Sequence, residues 1–245
     1  MAKSVILWLL IFPFKLTMIG QQIQLAQSNQ QWLQNYTQIS IGQKWSQNFD
    51  AGIRWRNNFS ELIQFIARAN TTYQINSKFK IGLGYAQSQL YSNAKLTCSE
   101  YRPFQEAIVE IKSDKYFLGN RIRLEQRFFN DFSGDMNPTS RFALRGRYNF
   151  SFSHYMFKPF SKYKQTQVWF TVGNEIFVNL SSNNKSQLFD QNRFFVGPVL
   201  KLNNKLSIQF IYNMQVSKDI QQQTFRLMHV TWISLKQTIS WKDLK

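Results

Sequence analysis

The chain has 245 residues, of which 43% are hydrophobic and 16% aromatic, enough for one sizeable packed domain or two small ones. Lys and Arg number 30 against 13 Asp and Glu, and there are 26 Gln and 20 Asn, so the mean hydropathy is negative at −0.37. This composition excludes a disulfide framework, because Cys98 is the single cysteine, and the aromatic content argues against disorder.

The N-terminus has the pattern of an export signal. Lys3 precedes a short apolar stretch over residues 4–14, and the sequence becomes polar from Gln21. A basic start, an apolar segment of about 10 residues and a small residue before a polar segment are typical of a secretory signal peptide. We therefore predict a signal peptide over residues 1–20 and a single domain over 21–245; the alternative is an N-terminal helix packed in a cytosolic fold.

The remaining chain alternates apolar and polar residues with the period of a β-strand. In residues 118–128, Leu118, Ile122 and Phe128 fall on one face while arginines fall on the other, and residues 141–152 repeat the pattern. Further apolar faces occur over residues 51–55, 63–73, 79–85, 107–111, 168–178 and 206–216. Alternation repeated along the chain without a helical segment predicts an all-β protein.

The length and composition of these strands favour a barrel over a sandwich. Several alternations run for 11 to 13 residues, and a tilted strand needs about 9–11 residues to cross a bilayer. The face opposite the apolar one carries large charged groups, as a polar lumen would. Aromatic residues toward the expected strand ends resemble the girdles of membrane barrels: Trp45, Trp55, Tyr73, Tyr85, Tyr148, Trp169 and Trp232. We predict an antiparallel transmembrane β-barrel.

The connections predict alternating short turns and long loops, which membrane barrels place at opposite ends. Residues 76–77, 113–116 and 203–204 are predicted short turns; residues 92–101, containing Cys98, 130–140 and 181–190 are predicted long loops. Eleven strands can be counted. Single-chain bacterial barrels have even strand numbers, so we expect that one strand has been missed or counted in error and that the true number is 10 or 12. The prediction is therefore a barrel of 10–12 strands, with residues 154–165 as the least certain region.

Five motifs resemble one protein family. They follow in the order Glu100-Tyr101-Arg102-Pro103-Phe104-Gln105, Arg121-Ile122-Arg123-Leu124-Glu125-Gln126-Arg127-Phe128, Arg145-Gly146-Arg147-Tyr148, Asn174-Glu175-Ile176-Phe177 and Phe189-Asp190-Gln191-Asn192-Arg193. The set is similar to the family catalogued as domain of unknown function 2490, from about Trp32 onward. The resemblance implies a barrel in the outer membrane of a Gram-negative bacterium. It implies no activity and therefore no catalytic residue.

The predicted inward face carries most of the arginine. Eleven of the twelve arginines lie on the face opposite the apolar one, Arg226 being unassigned, and five glutamates share that face. The predicted lumen network consists of Arg54, Arg56, Arg68, Arg102, Glu106, Glu110, Arg121, Arg123, Glu125, Arg127, Arg145, Arg147, Glu175 and Arg193, together with Glu100 and Arg141. We expect Glu106 and Glu110 to face the arginines of the following strand. Most lysines fall in predicted turns, loops or the tail.

The network leaves three hypotheses for function. In the first, the network fills and rigidifies a narrow barrel. In the second, it lines a small passage that prefers anionic solutes. In the third, the barrel presents long loops that bind a partner. Outer-membrane lipid is an expected partner in each case, and small anionic solutes are expected partners of a passage. Nucleic acid is not expected, because the charge is not gathered on one patch. We expect no enzyme activity, catalytic residue, cofactor or metal, and the sequence leaves the oligomeric state open.

Overall fold

The computed structural model describes residues 25–132, 139–159, 165–181, 188–219 and 224–241, so the predicted signal peptide lies outside the described residues. Eleven strands form within these ranges, each 12 to 19 residues long. They are β1 (Leu25–Ile41), β2 (Trp45–Arg56), β3 (Glu61–Gln74), β4 (Phe79–Ser92), β5 (Lys95–Lys112), β6 (Tyr116–Asp131), β7 (Thr139–Phe157), β8 (Gln167–Asn179), β9 (Phe189–Lys201), β10 (Leu206–Asp219) and β11 (Thr224–Ser240). The described residues contain no helix long and apolar enough to span a membrane.

The strands close into one barrel, which confirms the all-β prediction. Each strand pairs antiparallel with the next along the chain, and β1 pairs with β11 in parallel, from Leu25 opposite Phe225 to Ser40 opposite Ser240. The eleven strands fall within the predicted 10–12, and only the inference that their number must be even was wrong. With an odd number of hairpin-connected strands, the first and last run in the same direction, so closure requires this parallel pair.

The five connections at each end of the barrel overlap in length, from three to nine residues at one end and from two to nine at the other. What we call the turn end carries the connections that follow β1, β3, β5, β7 and β9, and the loop end carries those that follow β2, β4, β6, β8 and β10. The three predicted short turns lie at the turn end, as expected. The predicted loops 130–140 and 181–190 are connections at the loop end, although strands extend into both, and part of each lies outside the described residues.

The prediction of a long loop over residues 92–101 was wrong. Asn93 and Ala94, with φ of 51° and 60°, make the whole turn, and β5 begins at Lys95. Cys98 is therefore buried in a strand. The segment looked like a loop because it is polar, but Ser99 and Glu100 are both buried strand residues, and Glu100 faces the lumen.

The barrel has an apolar outside and a polar inside. Leu83 and Ile122 on the outer face are 66% and 62% exposed, whereas Glu125 on the inner face is 0% exposed. The buried apolar core is a small cluster of Trp32, Met228 and Val230 inside β1 and β11, with Trp232 packed against it.

The aromatic residues follow the predicted girdles only in part. Trp45, Trp55 and Tyr73 lie near strand ends, while Tyr85 and Tyr148 lie near the middle of their strands. Trp169 is buried and Trp232 packs against the inner cluster, so neither belongs to an outer belt. Their positions in the sequence resembled girdle positions. In β8 and β11, however, the alternate residues to which Trp169 and Trp232 belong face the lumen.

Two inward-facing phenylalanines lie over glycines of neighbouring strands. A Cβ on Gly84 would lie 2.3 Å from Cζ of Phe104, and a Cβ on Gly173 would lie 2.3 Å from Cζ of Phe195. Phe104 is 1% exposed, so its ring has no free space to move into. These glycines let the rings lie against the wall and leave the barrel centre to charged side chains.

Gly84→Ala should therefore lower the free energy of unfolding by about 1–3 kcal/mol through overpacking. The measurement is urea unfolding of the refolded barrel, followed by tryptophan fluorescence. Gly146→Ala is the control, since its Cβ would meet only the end of the Leu180 side chain at 3.3 Å. Combining Gly84→Ala with Phe104→Leu should cost less than the sum of the single changes, although Cβ of Asn70, 2.5 Å from the new Cβ, keeps part of the strain. Strict additivity would contradict the packing account.

Candidate functional site: a buried arginine–glutamate network

Strands β5 to β9 carry the charged cluster, because on each of them the alternate residues that are polar point into the barrel. Direct pairing sets Glu106 opposite Arg123, Glu125 opposite Arg145, and Glu175 opposite Arg193. Side chains of directly opposed residues lie on the same face. Alternation within each strand and register between strands thus bring cations and carboxylates to one level of the lumen.

Glu125 is the centre of this network. It accepts hydrogen bonds from Arg145, with Nη2 at 2.6 Å and Nε at 2.8 Å, and from Nη1 of Arg147 at 2.6 Å. Nη1 of Arg102 and of Arg123 approach to 3.9 and 3.8 Å. Such charge-assisted bonds compensate for removing the carboxylate from water.

Glu175 forms a second centre, linked to the first through Arg147. It accepts hydrogen bonds from Arg147 Nη2 at 2.7 Å, Arg121 Nη2 at 2.9 Å and Arg193 Nη1 at 3.2 Å. Arg121 reaches it from β6, across β7. The network therefore ties together strands that do not share backbone hydrogen bonds.

Two further carboxylates complete the network on β5. Glu106 accepts from Arg123 Nη2 at 2.6 Å, and Glu100 binds Arg102, with Nη2 at 2.7 Å, and Arg127. Asp190 lies 3.2 Å from Arg145 Nη1. In the part of the chain that the structure describes, five carboxylates thus serve seven arginines at this level.

Aromatic rings accommodate part of the excess positive charge. Phe177, 2% exposed, has the guanidinium carbons of Arg147, Arg145 and Arg193 at 4.6, 5.2 and 5.2 Å from its ring centre. Trp32, on β1, lies 3.8 Å from Arg54 and 5.1 Å from Arg193. Contacts of cations with ring faces are favourable where water is excluded. Through Trp32 and Arg193, the packed interior extends from β9 to β1.

The other predicted network residues lie apart from this centre. Arg68 pairs with Asp50 at 2.7 Å, Arg54 donates to Gln64 at 2.7 Å, and Arg56 pairs with Glu61 beside the β2–β3 turn. These three arginines of β2 and β3 form a satellite group.

Glu110 has partners other than those predicted. It binds Lys80 and Lys112, both at 2.9 Å, rather than an arginine of β6. The register explains this, because Glu110 lies opposite Gly119. Arg141 also stays at the loop end, paired with Asp131 at 2.7 Å.

Sequence reasoning missed the aspartates of the interior. Asp50, Asp131 and Asp190 all bind arginines, and Asp50 has the same strand parity as Arg54. Counting arginine and glutamate alone therefore overstated the positive charge of the lumen. The strand parity of Asp50 could have predicted that it lies inside the barrel. Asp190 could not be predicted in this way, because it belonged to a predicted loop.

Within the described residues there is no group of three His, Cys, Asp or Glu side chains placed to hold a metal ion. His229 faces outward and contacts Tyr212, with 2.6 Å between Nδ1 and the phenolic oxygen. The network consists of carboxylates fixed by several guanidinium groups, an arrangement suited to holding strands together. That the protein is not an enzyme and has no cofactor stays a prediction.

The fold and this interior define the class of protein: a closed all-β barrel with a buried ionic network. The profile of the family described as "Protein of unknown function (DUF2490)" matches residues 29–226. The chain belongs to this family, as its five motifs predicted. The search of curated proteins found no match.

Glu125→Gln should lower the free energy of unfolding by about 3–5 kcal/mol, because it leaves buried arginines without their counter-charge. The measurement is the urea unfolding midpoint and slope of the refolded protein. The matched control is Glu61→Gln, whose partner Arg56 is 40% exposed at the side chain; it should leave the midpoint nearly unchanged. Equal effects of the two changes would contradict a network that depends on burial.

Proposed function

We propose that the protein is an outer-membrane β-barrel of a Gram-negative bacterium, exported through residues 1–20, whose arginine–glutamate network closes the lumen. The observation that carries the proposal is the inverted distribution of side chains. Large apolar groups such as Leu83, Phe142 and Phe210 are exposed around the barrel, while charged groups are buried inside it. Contiguous apolar surface of this extent is a liability in water and a requirement in lipid.

Polar groups on the outer face support the same proposal, because they bind each other across neighbouring strands. Gln105 and Gln126 exchange hydrogen bonds of 3.4 and 3.0 Å, and Asn174 and Asn192 exchange bonds of 3.1 and 2.9 Å. Lipid offers no hydrogen-bonding partner, so a polar group facing it must be satisfied by the protein. These amide pairs meet that condition without water.

The buried network favours a closed lumen over an open passage. Glu125, Glu175 and Arg147 are 0%, 3% and 6% exposed, values that leave little room for water around them. The bonds from β6 to β8 and the contact of Arg193 with Trp32 extend this packing across the interior. An anion-conducting pore would need a continuous wet path past these side chains.

The turn end, where four of the five connections have only three or four residues, is the proposed periplasmic side, since membrane barrels carry short connections there. A partner-binding role would belong to the opposite end. The segments 133–138 and 182–187, which follow β6 and β8 in the chain, lie outside the described residues, so loop binding stays a prediction.

Ile122→Arg tests membrane insertion, because Ile122 stands on the outer face of β6. In phospholipid vesicles it should cost about 2–4 kcal/mol of folding free energy if the site lies near the bilayer midplane. On a water-exposed surface the same change is usually within about ±0.5 kcal/mol. The measurement is urea unfolding in vesicles, with Ile122→Leu as the matched control. A negligible effect of Ile122→Arg would count against lipid contact.

Planar-bilayer recording tests the closed lumen. The purified barrel should add no steady conductance at low voltage, because the network occupies the level that ions would have to cross. Heat-dependent migration of the same preparation on a gel would show that the inserted protein is folded, and an open barrel recorded in the same bilayers serves as the positive control. Reproducible anion-selective channels from folded protein would refute the closed lumen and support the passage.

A further inference from the structure

A second cationic group lies inside the barrel at the turn end, apart from the arginine network. Ser207, near the start of β10, stands directly opposite Lys201 of β9 and directly opposite Lys236 of β11. We call Lys201, Ser207 and Lys236 the lysine row. Directly opposed residues share one face with Cβ atoms about 4.5–5.5 Å apart, so the two lysines flank the serine. The buried residues Val199 and Ser234, two positions away, place this face inside.

Neither lysine of the row has a carboxylate partner within the described residues. Nζ of Lys201 lies 3.6 Å from the ring centre of Trp169, and Nζ of Lys236 lies 5.1 Å from that of Tyr36. Aromatic faces attract a cation but do not neutralise its charge. Trp169 lies on β8 and Tyr36 on β1, so each ammonium group rests on the side of its strand away from Ser207.

Charged groups of both signs surround the row. Lys112 repels Lys201, and Arg121 repels Lys236 from the opposite wall. Asp50 and Glu110 attract Lys236, but each already binds a cation of its own: Arg68 holds Asp50, and Lys80 and Lys112 hold Glu110. Cations enclosed by low-dielectric walls raise the local concentration of anions.

The row is also accessible to water. Lys236 is exposed although its strand parity directs it into the barrel, and Ser207 is half-buried. Deeper in the lumen, the network around Glu125 and Glu175 is almost wholly buried. The row thus combines cationic groups with exposure to water, unlike the arginine level, where carboxylates already bind the guanidinium groups.

We propose that the lysine row binds a small polyanion of the phosphate class, with the two ammonium groups and the Ser207 hydroxyl donating hydrogen bonds to its oxygens. Lysine suits this role because its ammonium is a compact charge on a flexible stem that can leave a ring face and close on a ligand. The serine supplies a short donor between two long ones. This proposal depends on the barrel interior and does not rest on membrane insertion or on the absence of conductance.

The test is calorimetric titration of the folded, detergent-solubilised protein with inorganic pyrophosphate at low ionic strength. We expect saturable binding that weakens with added salt. Lys201→Gln and Lys236→Gln should each weaken binding by about tenfold, the size expected for loss of one charge-assisted hydrogen bond. Lys95→Gln, at the loop end, is the matched control and should leave the affinity unchanged.

Ser207→Glu provides an independent variant, because it places a carboxylate between the two lysines. It should abolish pyrophosphate binding and raise the thermal unfolding temperature, as a permanently bound anion would. The proposal is overturned if folded wild-type protein shows no binding at millimolar pyrophosphate, or if both lysine variants bind as tightly as Lys95→Gln. Since these titrations use detergent, their outcome is separate from that of the bilayer experiments.

Discussion

The interior of the barrel depends on one constraint: the carboxylates that the closed sheet removes from water are fewer than the arginines they must neutralise, so most of them bind more than one. Glu125, 0% exposed, serves Arg145 and Arg147, and Arg147 carries the connection on to Glu175. A buried ion pair by itself contributes little net stability, and losing one partner is costly. The network therefore acts chiefly by fixing the register in which neighbouring strands pair, because a slip of one residue would turn these charges toward the apolar outer face.

Closure by the parallel β1–β11 pair extends the network to the first strand of the barrel. It brings Trp32 of β1, which already lies directly opposite Arg54 of β2, within reach of Arg193 of β9, so the apolar cluster beside β11 and the ionic network meet at one ring. Phe104 over Gly84 and Phe195 over Gly173 have the complementary effect of keeping large rings flat against the wall. The narrow lumen can then hold several guanidinium groups at one level without displacing the strands.

Local patterns were enough to predict the strands and the inward arginines, because alternation is a property of consecutive residues. Arg121, Arg145 and Glu175 lie inside as their parity indicated. Register could not be read in the same way, so Glu110 was expected to face arginines and instead binds two lysines. Polarity also misled the reading of residues 92–101 as a loop, since in this barrel a polar stretch is as compatible with an inward face as with solvent. The parallel closing pair joins residues 200 positions apart, which no local pattern reveals.

The distribution of the two kinds of cation follows from their chemistry. Guanidinium groups bind carboxylates through two donors at once and stack on rings, so they suit the crowded, nearly dry level of Glu125 and Glu175. Ammonium groups keep their hydration more strongly, and the inward lysines Lys80, Lys112, Lys201 and Lys236 lie toward the turn end, where water reaches them. The excess of cations in the sequence thus divides into a part compensated within the protein and a part left available. Among the described inward cations, Lys201 and Lys236 belong to the second part, which is why we propose anion binding at the turn end rather than at the arginine-rich centre.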